Sequence, residues 1–164
     1  MMELSGCRVL PMTPGQAAEY LCWEYPAPYT LYNIPPAYRE RERAVILSEL
    51  DRWFAVVDRQ GQMVGFFTYR FDAAGRMEIG LGLRPDCTGQ GSGAAYTRRC
   101  VDFGRARYGY GGPVLLRVIR GNDRALRAYL RAGFRILREE QASAYGSPIV
   151  FLWMQQEERF VENS

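Results

Sequence analysis

Apolar positions along the chain fall into runs of two different periods, and the changes of period divide it into elements. Arg8–Met12 (RVLPM) reads as a short strand. Thr13-Pro14-Gly15-Gln16 then supplies a helix N-cap, a proline at the first helical position and a capping-box glutamine. The helix it opens is expected to run to about Trp23. Glu24–Tyr38 (EYPAPYTLYNIPPAY) carries Pro26, Pro28, Pro35 and Pro36, which remove backbone donors and push their predecessors away from helical angles. This predicts an irregular segment. Helical spacing resumes over Arg39–Leu50, where Val45, Ile46 and Leu50 form an apolar stripe beside the charged run Arg39–Arg43.

From Trp53 the period becomes that of strands. WFAVVD, MVGFFTYRF and MEIGLGL, joined by the turns RQGQ and DAAGR, predict three antiparallel strands in a meander. Thr88–Tyr108 reads as a glycine-opened helix with Tyr96, Cys100 and Phe103 at helical spacing, and Pro113–Ile119 as an apolar strand of the buried kind. Together they form a β-α-β unit. Asn122–Leu130 predicts a short helix closed by Gly133, Phe134–Glu139 a strand, and Ile149–Met154 a last strand before a polar tail. No repeat or low-complexity tract interrupts this order.

With 164 residues, the chain is expected to form one domain over 1–164 with one core. Lys plus Arg total 21 against 18 Asp plus Glu, an excess of +3 that does not make nucleic acid the default partner. The absence of histidine removes Ser-His-Asp and Cys-His hydrolysis, histidine phosphotransfer and most zinc sites. Cys7, Cys22, Cys87 and Cys100 lack metal-binding spacing, so no metal is expected and the thiols suit a reducing cytosol. The opening MMELSGCRVLPM is too short in apolar length for a signal peptide, and no run of about 18 apolar residues occurs. A cytoplasmic protein without a membrane partner is expected.

Chemistry concentrates in two places. Leu83–Gly93 (LRPDCTGQGSG) joins a strand end to a helix start through alternating glycines. A helix N-terminus exposes unpaired N–H groups and the positive end of its dipole, and glycines let those donors approach a phosphate; the alternative is a flexible turn. The loop lacks both the GxGxxG spacing of dinucleotide folds and the GK[ST] of a Walker loop. About thirty residues on stands Asn122-Asp123-Arg124-Ala125-Leu126-Arg127-Ala128-Tyr129-Leu130-Arg131-Ala132-Gly133-Phe134. In this order the two resemble the signature motifs of the GNAT superfamily of acyl-CoA-dependent N-acyltransferases: (Q/R)-x-x-G-x-(G/A), then N-x-x-A-x-x-x-Y-x-x-x-G-F. The match covers about Glu78–Phe134, with Asn122, Ala125, Tyr129, Gly133 and Phe134 in place and Thr88 standing where the family usually has Gln or Arg.

The resemblance implies an α/β fold with a mixed, mostly antiparallel sheet of six or seven strands, flanked by helices and splayed at its centre. It implies acetyl-CoA as acyl donor, with the pyrophosphate on backbone groups of Thr88, Gly89, Gln90, Gly91, Ser92, Gly93 and Ala94. The pantetheine arm would lie beside the preceding strand at Leu83. Gly80 and Gly82 in that strand read either as marking close approach of a ligand or backbone, or as a bulge. Asn122 reads as a helix cap, a pantetheine contact, or both.

Transfer to an amine requires a proton for the departing thiolate and removal of one from the acceptor. Tyr129 matches the family's general acid; its alternative is packing beside Leu126 and Leu130. Glu78, on the same strand face as Gly80 and Gly82, is the best carboxylate for a base, against an ordinary strand-end carboxylate facing water. Trp23, Tyr25, Tyr29 and Tyr32 crowd the Pro-rich segment that roofs the acceptor site in the family, where aromatic faces would suit an amine; the alternative is simple packing of the loop. Cys87 is expected to be a spectator. The sequence therefore predicts acetyl transfer from acetyl-CoA to a primary amine of a small molecule or peptide, by direct attack in a ternary complex, in a monomer or homodimer. The alternative is a non-catalytic acyl-CoA-binding sensor or regulatory module.

Overall fold

The computed structural model describes residues 3–156. Among them, seven strands form one sheet in the order β1-β2-β3-β4-β5-β7-β6. The strands are β1 (Arg8–Pro11), β2 (Trp53–Val57), β3 (Met63–Phe71), β4 (Met77–Leu83), β5 (Val114–Ile119), β6 (Phe134–Ala144) and β7 (Ser147–Gln156). Four α-helices accompany them: α1 (Pro14–Leu21), α2 (Pro36–Ser48), α3 (Gly93–Tyr108) and α4 (Asp123–Arg131). Each pairing is antiparallel except β4–β5, which is parallel. This agrees with the mixed, mostly antiparallel sheet expected.

The β4–β5 seam positions the site. Only Met77 with Val114 and Glu78 with Leu115 are paired. Beyond them β4 continues to Leu83 and β5 to Ile119, so their facing edges part into a wedge.

Two cores cover the sheet's two faces. Phe67, Tyr69, Ile79, Val114, Leu116 and Val118 pack with Tyr96, Cys100 and Val101 of α3 on one face. On the other, Trp53, Ala55, Val57 and Phe66 pack with Ala17 and Leu21 of α1 and Ile46 of α2. Alternate residues of β2 serve different cores, which explains why the whole strand is apolar.

Local chemistry accounts for most boundaries. Thr13 and Gln16 complete the capping box reciprocally, at 3.1 and 3.0 Å. Helix α2 begins at Pro36 instead of Arg39, because a proline at the helix start lacks only a donor that would have no partner there. Helix α3 begins at Gly93 instead of Thr88, because Gly89 and Gly91 hold φ of +72° and +77°, outside helical space. The last two strands are longer than predicted. Their hairpin turns at Tyr145-Gly146, both with positive φ, and the polar stretch Glu139–Ala144 remains extended along an exposed edge. Gln155 and Gln156 of the expected polar tail belong to β7, and the rest of the tail lies outside the described residues.

Candidate active site

A cleft of about 710 Å³ opens where β4 and β5 part. That volume falls within the range of small-molecule sites, roughly 300–1,000 Å³. Its wall includes Leu83, every residue from Thr88 to Ala94, Asn122, Tyr129, Glu78, Tyr25, Tyr29 and Tyr32. Trp23 is the exception among the sequence candidates. It is buried in the core beneath α1 and α2, edge-on to Tyr20 at 5.5 Å and against Phe66, so an acceptor in the cleft would not meet it.

At one end, the glycine loop turns into α3. Ser92 caps the helix without a side-chain hydrogen bond, leaving the first-turn N–H groups to whatever binds there. A Cβ on Gly93 would lie 2.9 Å from Ala128 Cβ, so this glycine lets α3 approach α4 closely. The Thr88 hydroxyl donates to the Pro85 carbonyl at 2.7 Å and thus braces the loop from within. Positive charge comes instead from α4, where Arg124, Arg127 and Arg131 line the cleft at helical spacing. Arg124 lies over the Tyr29 ring at 4.1 Å, and its Nη1 would be 3.4 Å from a Cβ on Gly89. Cys87 beside the loop is buried, and burial pushes its thiol pKa up, which makes it a poor nucleophile.

The floor consists of cross-strand pairs on β3 and β4: Phe66 opposite Gly82, Thr68 opposite Gly80, and Arg70 opposite Glu78. A Cβ on Gly82 would lie 2.4 Å from the Phe66 ring, and one on Gly80 2.4 Å from Thr68 Oγ1. The approach these glycines accommodate is therefore that of neighbouring side chains. No register shift interrupts the β3–β4 ladder at either position.

The Pro-rich segment spans the wedge. The Tyr25 hydroxyl donates to the Leu83 carbonyl at the end of β4 (2.6 Å), while the Tyr32 hydroxyl accepts from the Ile119 N–H at the end of β5 (3.2 Å). The two rings meet edge to face at 6.4 Å. A reciprocal pair of bonds between the Asn33 amide and the Tyr25 backbone holds the segment's shape. Burial raises the pKa of both hydroxyls, so they remain neutral. From below, α3 contributes Tyr96, whose buried hydroxyl donates to the Gly82 carbonyl at 2.8 Å. Asn122 caps α4 by accepting from the Ala125 N–H at 3.3 Å, and its side chain acts against the rise in the Tyr32 pKa that burial causes.

Tyr129 lies on α4 against Phe134, and its hydroxyl has no hydrogen-bond partner among the described residues. Burial, with Tyr32 nearby, raises its pKa, so the phenol keeps its proton at neutral pH. Glu78 is not the water-facing carboxylate of one reading, nor an isolated one. Its Oε1 accepts from Arg117 Nε at 3.0 Å, with the two side chains 23% and 32% exposed. Arg117 in turn lies over the rings of Phe151 and Trp153, at 4.9 and 5.1 Å. The β5–β7 register explains the stack, since Arg117 is directly opposite Trp153 and diagonal to Phe151. Sequence reasoning missed Arg117, although it is the one charge in the apolar run PVLLRVI.

Among the described residues no three His, Cys, Asp or Glu side chains come together to hold a metal ion, and no helix is long and apolar enough to cross a membrane. The chain matches the model of the Acetyltransferase (GNAT) family over residues 17–134. No curated protein matches it in sequence. Solved structures resemble it over nearly their whole length. A spermidine N-acetyltransferase SpeG chimera from Vibrio cholerae and hSSAT gives a TM-score of 0.75 at 15% identity, covering 93% of this chain and 95% of the other. Ribosomal-protein-S5-alanine acetyltransferase from Vibrio fischeri gives 0.64 at 15% identity, with 97% of each chain covered. YncA of Salmonella typhimurium, solved with its cofactor acetyl-CoA, gives 0.64 at 14% identity over 93% of this chain and 94% of that one.

Proposed function

Because the chain belongs to the GNAT acetyltransferase family, we propose that the cleft binds acetyl-CoA and transfers its acetyl group directly to a primary amine. One observation carries this reading: the glycine loop, the parted strands and the Tyr129 phenol face a single cavity. Phosphates would take the uncapped N–H groups at the start of α3, with the arginines of α4 adding charge. The pantetheine arm would enter the wedge along β4 near Leu83. The acceptor nitrogen attacks the thioester carbonyl; the N–C bond forms, the C–S bond breaks, and the nitrogen loses a proton. Tyr129 supplies one to the departing sulfur. Glu78, directly or through water, takes the acceptor's proton.

The test is thiol release from acetyl-CoA across a panel of primary amines, with CoA affinity measured in parallel. Amine-dependent release is the expected result. Tight CoA binding with no release for any amine would favour the sensor reading instead.

A further inference from the structure

The acceptor end of the cleft has a charge pattern that selects among amines. Resting on the acetyl transfer proposed above, we infer that the acceptor is a free α-amino acid, held by its carboxylate on Arg117 and by its amine on Glu78.

Three observations support this. Among the described residues the cleft wall carries five arginines and a single carboxylate, Glu78. Three of the arginines belong to α4 and the phosphate end, which leaves Arg70 and Arg117 to flank Glu78. Across β3, β4 and β5 the order is positive, negative, positive. Arg70 is itself ion-paired with Glu49 at 3.0 Å, so Arg117 is the guanidinium left to receive a carboxylate, directly beside the Glu78 carboxylate that can receive an ammonium.

The aromatic faces point the same way. Tyr29 carries Arg124 at 4.1 Å, and Phe151 and Trp153 carry Arg117. The cation–π positions that would recommend these rings to a polyamine are thus filled by the protein's own guanidinium groups.

Finally, Arg117 is built as a receptor. Two rings and Glu78 fix its plane while using only Nε, so Nη1 and Nη2 have no hydrogen-bond partner among the described residues. A pre-set guanidinium edge matches a carboxylate through two parallel bonds. Glu78 Oε2 is likewise unbonded among the described residues, beside the guanidinium that would hold the carboxylate. An α-amino acid presents its two charges on adjacent carbon centres, as this pair requires. A peptide N-terminus lacks the carboxylate.

The experiment uses the CoA-loaded protein and calorimetry with leucine, leucinamide, isoamylamine and spermidine, followed by thiol release from acetyl-CoA with the same four. Leucine is expected to bind and react about 10- to 100-fold better than leucinamide or isoamylamine, the usual worth of a hydrogen-bonded charge pair. Arg117→Gln should bring that ratio close to one, with Arg117→Lys intermediate. The wild-type ratio alone decides the matter should the variants fail to fold. Spermidine or isoamylamine matching leucine, a ratio that survives Arg117→Gln, or no binding by any of the four overturns the inference. Ordered binding without thiol release would instead sink the transfer reaction and leave the ligand class standing. Thiol release with spermidine alone would do the reverse.

Discussion

The two ends of the cleft are made of different material. The end proposed for the phosphates is backbone: a run of consecutive residues from Thr88 to Ala94, shaped by glycines and backed by one helix. The end proposed for the acceptor is side chain: Arg70 from β3, Glu78 from β4, Arg117 from β5 and Phe151 from β7, aligned by strand register. A backbone site tolerates changes of side chain so long as φ and ψ survive. A site of crossed side chains depends on each atom but leaves the main chain indifferent. Mutations should therefore behave differently at the two ends.

Tyr129, between the ends, should give the largest effect. Tyr129→Phe keeps the ring against Phe134 and removes a hydroxyl with no hydrogen-bond partner among the described residues. A fall in kcat of about 10²–10⁴-fold is expected, the usual contribution of a positioned acid, with CoA affinity nearly unchanged. Burial raises the phenol's pKa, so the wild type should not lose its acid between pH 6 and 9. The variant's deficit should shrink over that range as the leaving thiol, of pKa about 8.5, departs unaided. Rate against pH for both proteins checks this; equal rates throughout would return Tyr129 to packing.

Gly91→Val tests the backbone end. The residue's φ is +77° and nothing lies within 4 Å of an added Cβ, so the cost is conformational and not steric. Placing a β-branched residue there costs about 1–3 kcal/mol, which should weaken CoA binding by roughly 5- to 150-fold. Truncated pantetheine without phosphates should bind as to wild type. Calorimetry with both ligands is the measurement.

Thr88→Val should have the smallest effect. Its hydroxyl bonds the Pro85 carbonyl, so the variant should lose about 0.5–1.5 kcal/mol of stability in denaturant unfolding and little CoA affinity. A large loss of affinity at unchanged stability would mean that the side chain serves the ligand, and the contrast between the ends would weaken.

The same contrast explains what the sequence revealed. Phosphate-loop chemistry is contiguous: glycine spacing, an N-cap and a helical period all occur within a few residues of what they govern. Thr13 and Gln16 were legible for that reason, as was the meander from Trp53 to Leu83. Arg117 was not, because its partners Glu78, Phe151 and Trp153 come together only once strand order and register are known. Trp23 misled in the opposite way. Its neighbours in sequence face the cleft, but the end of α1 turns it into the core. The Tyr145-Gly146 turn escaped because a tyrosine at positive φ is uncommon, and the polar residues before it hid a strand that needs no apolar face at an open edge.

The two residue pairs that join β4 to β5 also bear on stability. Within the sheet itself the two halves share only this seam and, across its open end, the Tyr25 and Tyr32 bonds, while the core beneath α3 spans both. A molecule lodged in the wedge becomes part of the structure, and mass action then links melting temperature to its concentration. At about 100 times its Kd it would add about 2.7 kcal/mol. Within Ile79–Leu83 and Leu116–Val118, the amide hydrogens that face the wedge instead of β3 or β7 should exchange faster than those at the seam in the empty protein, and slow most on binding.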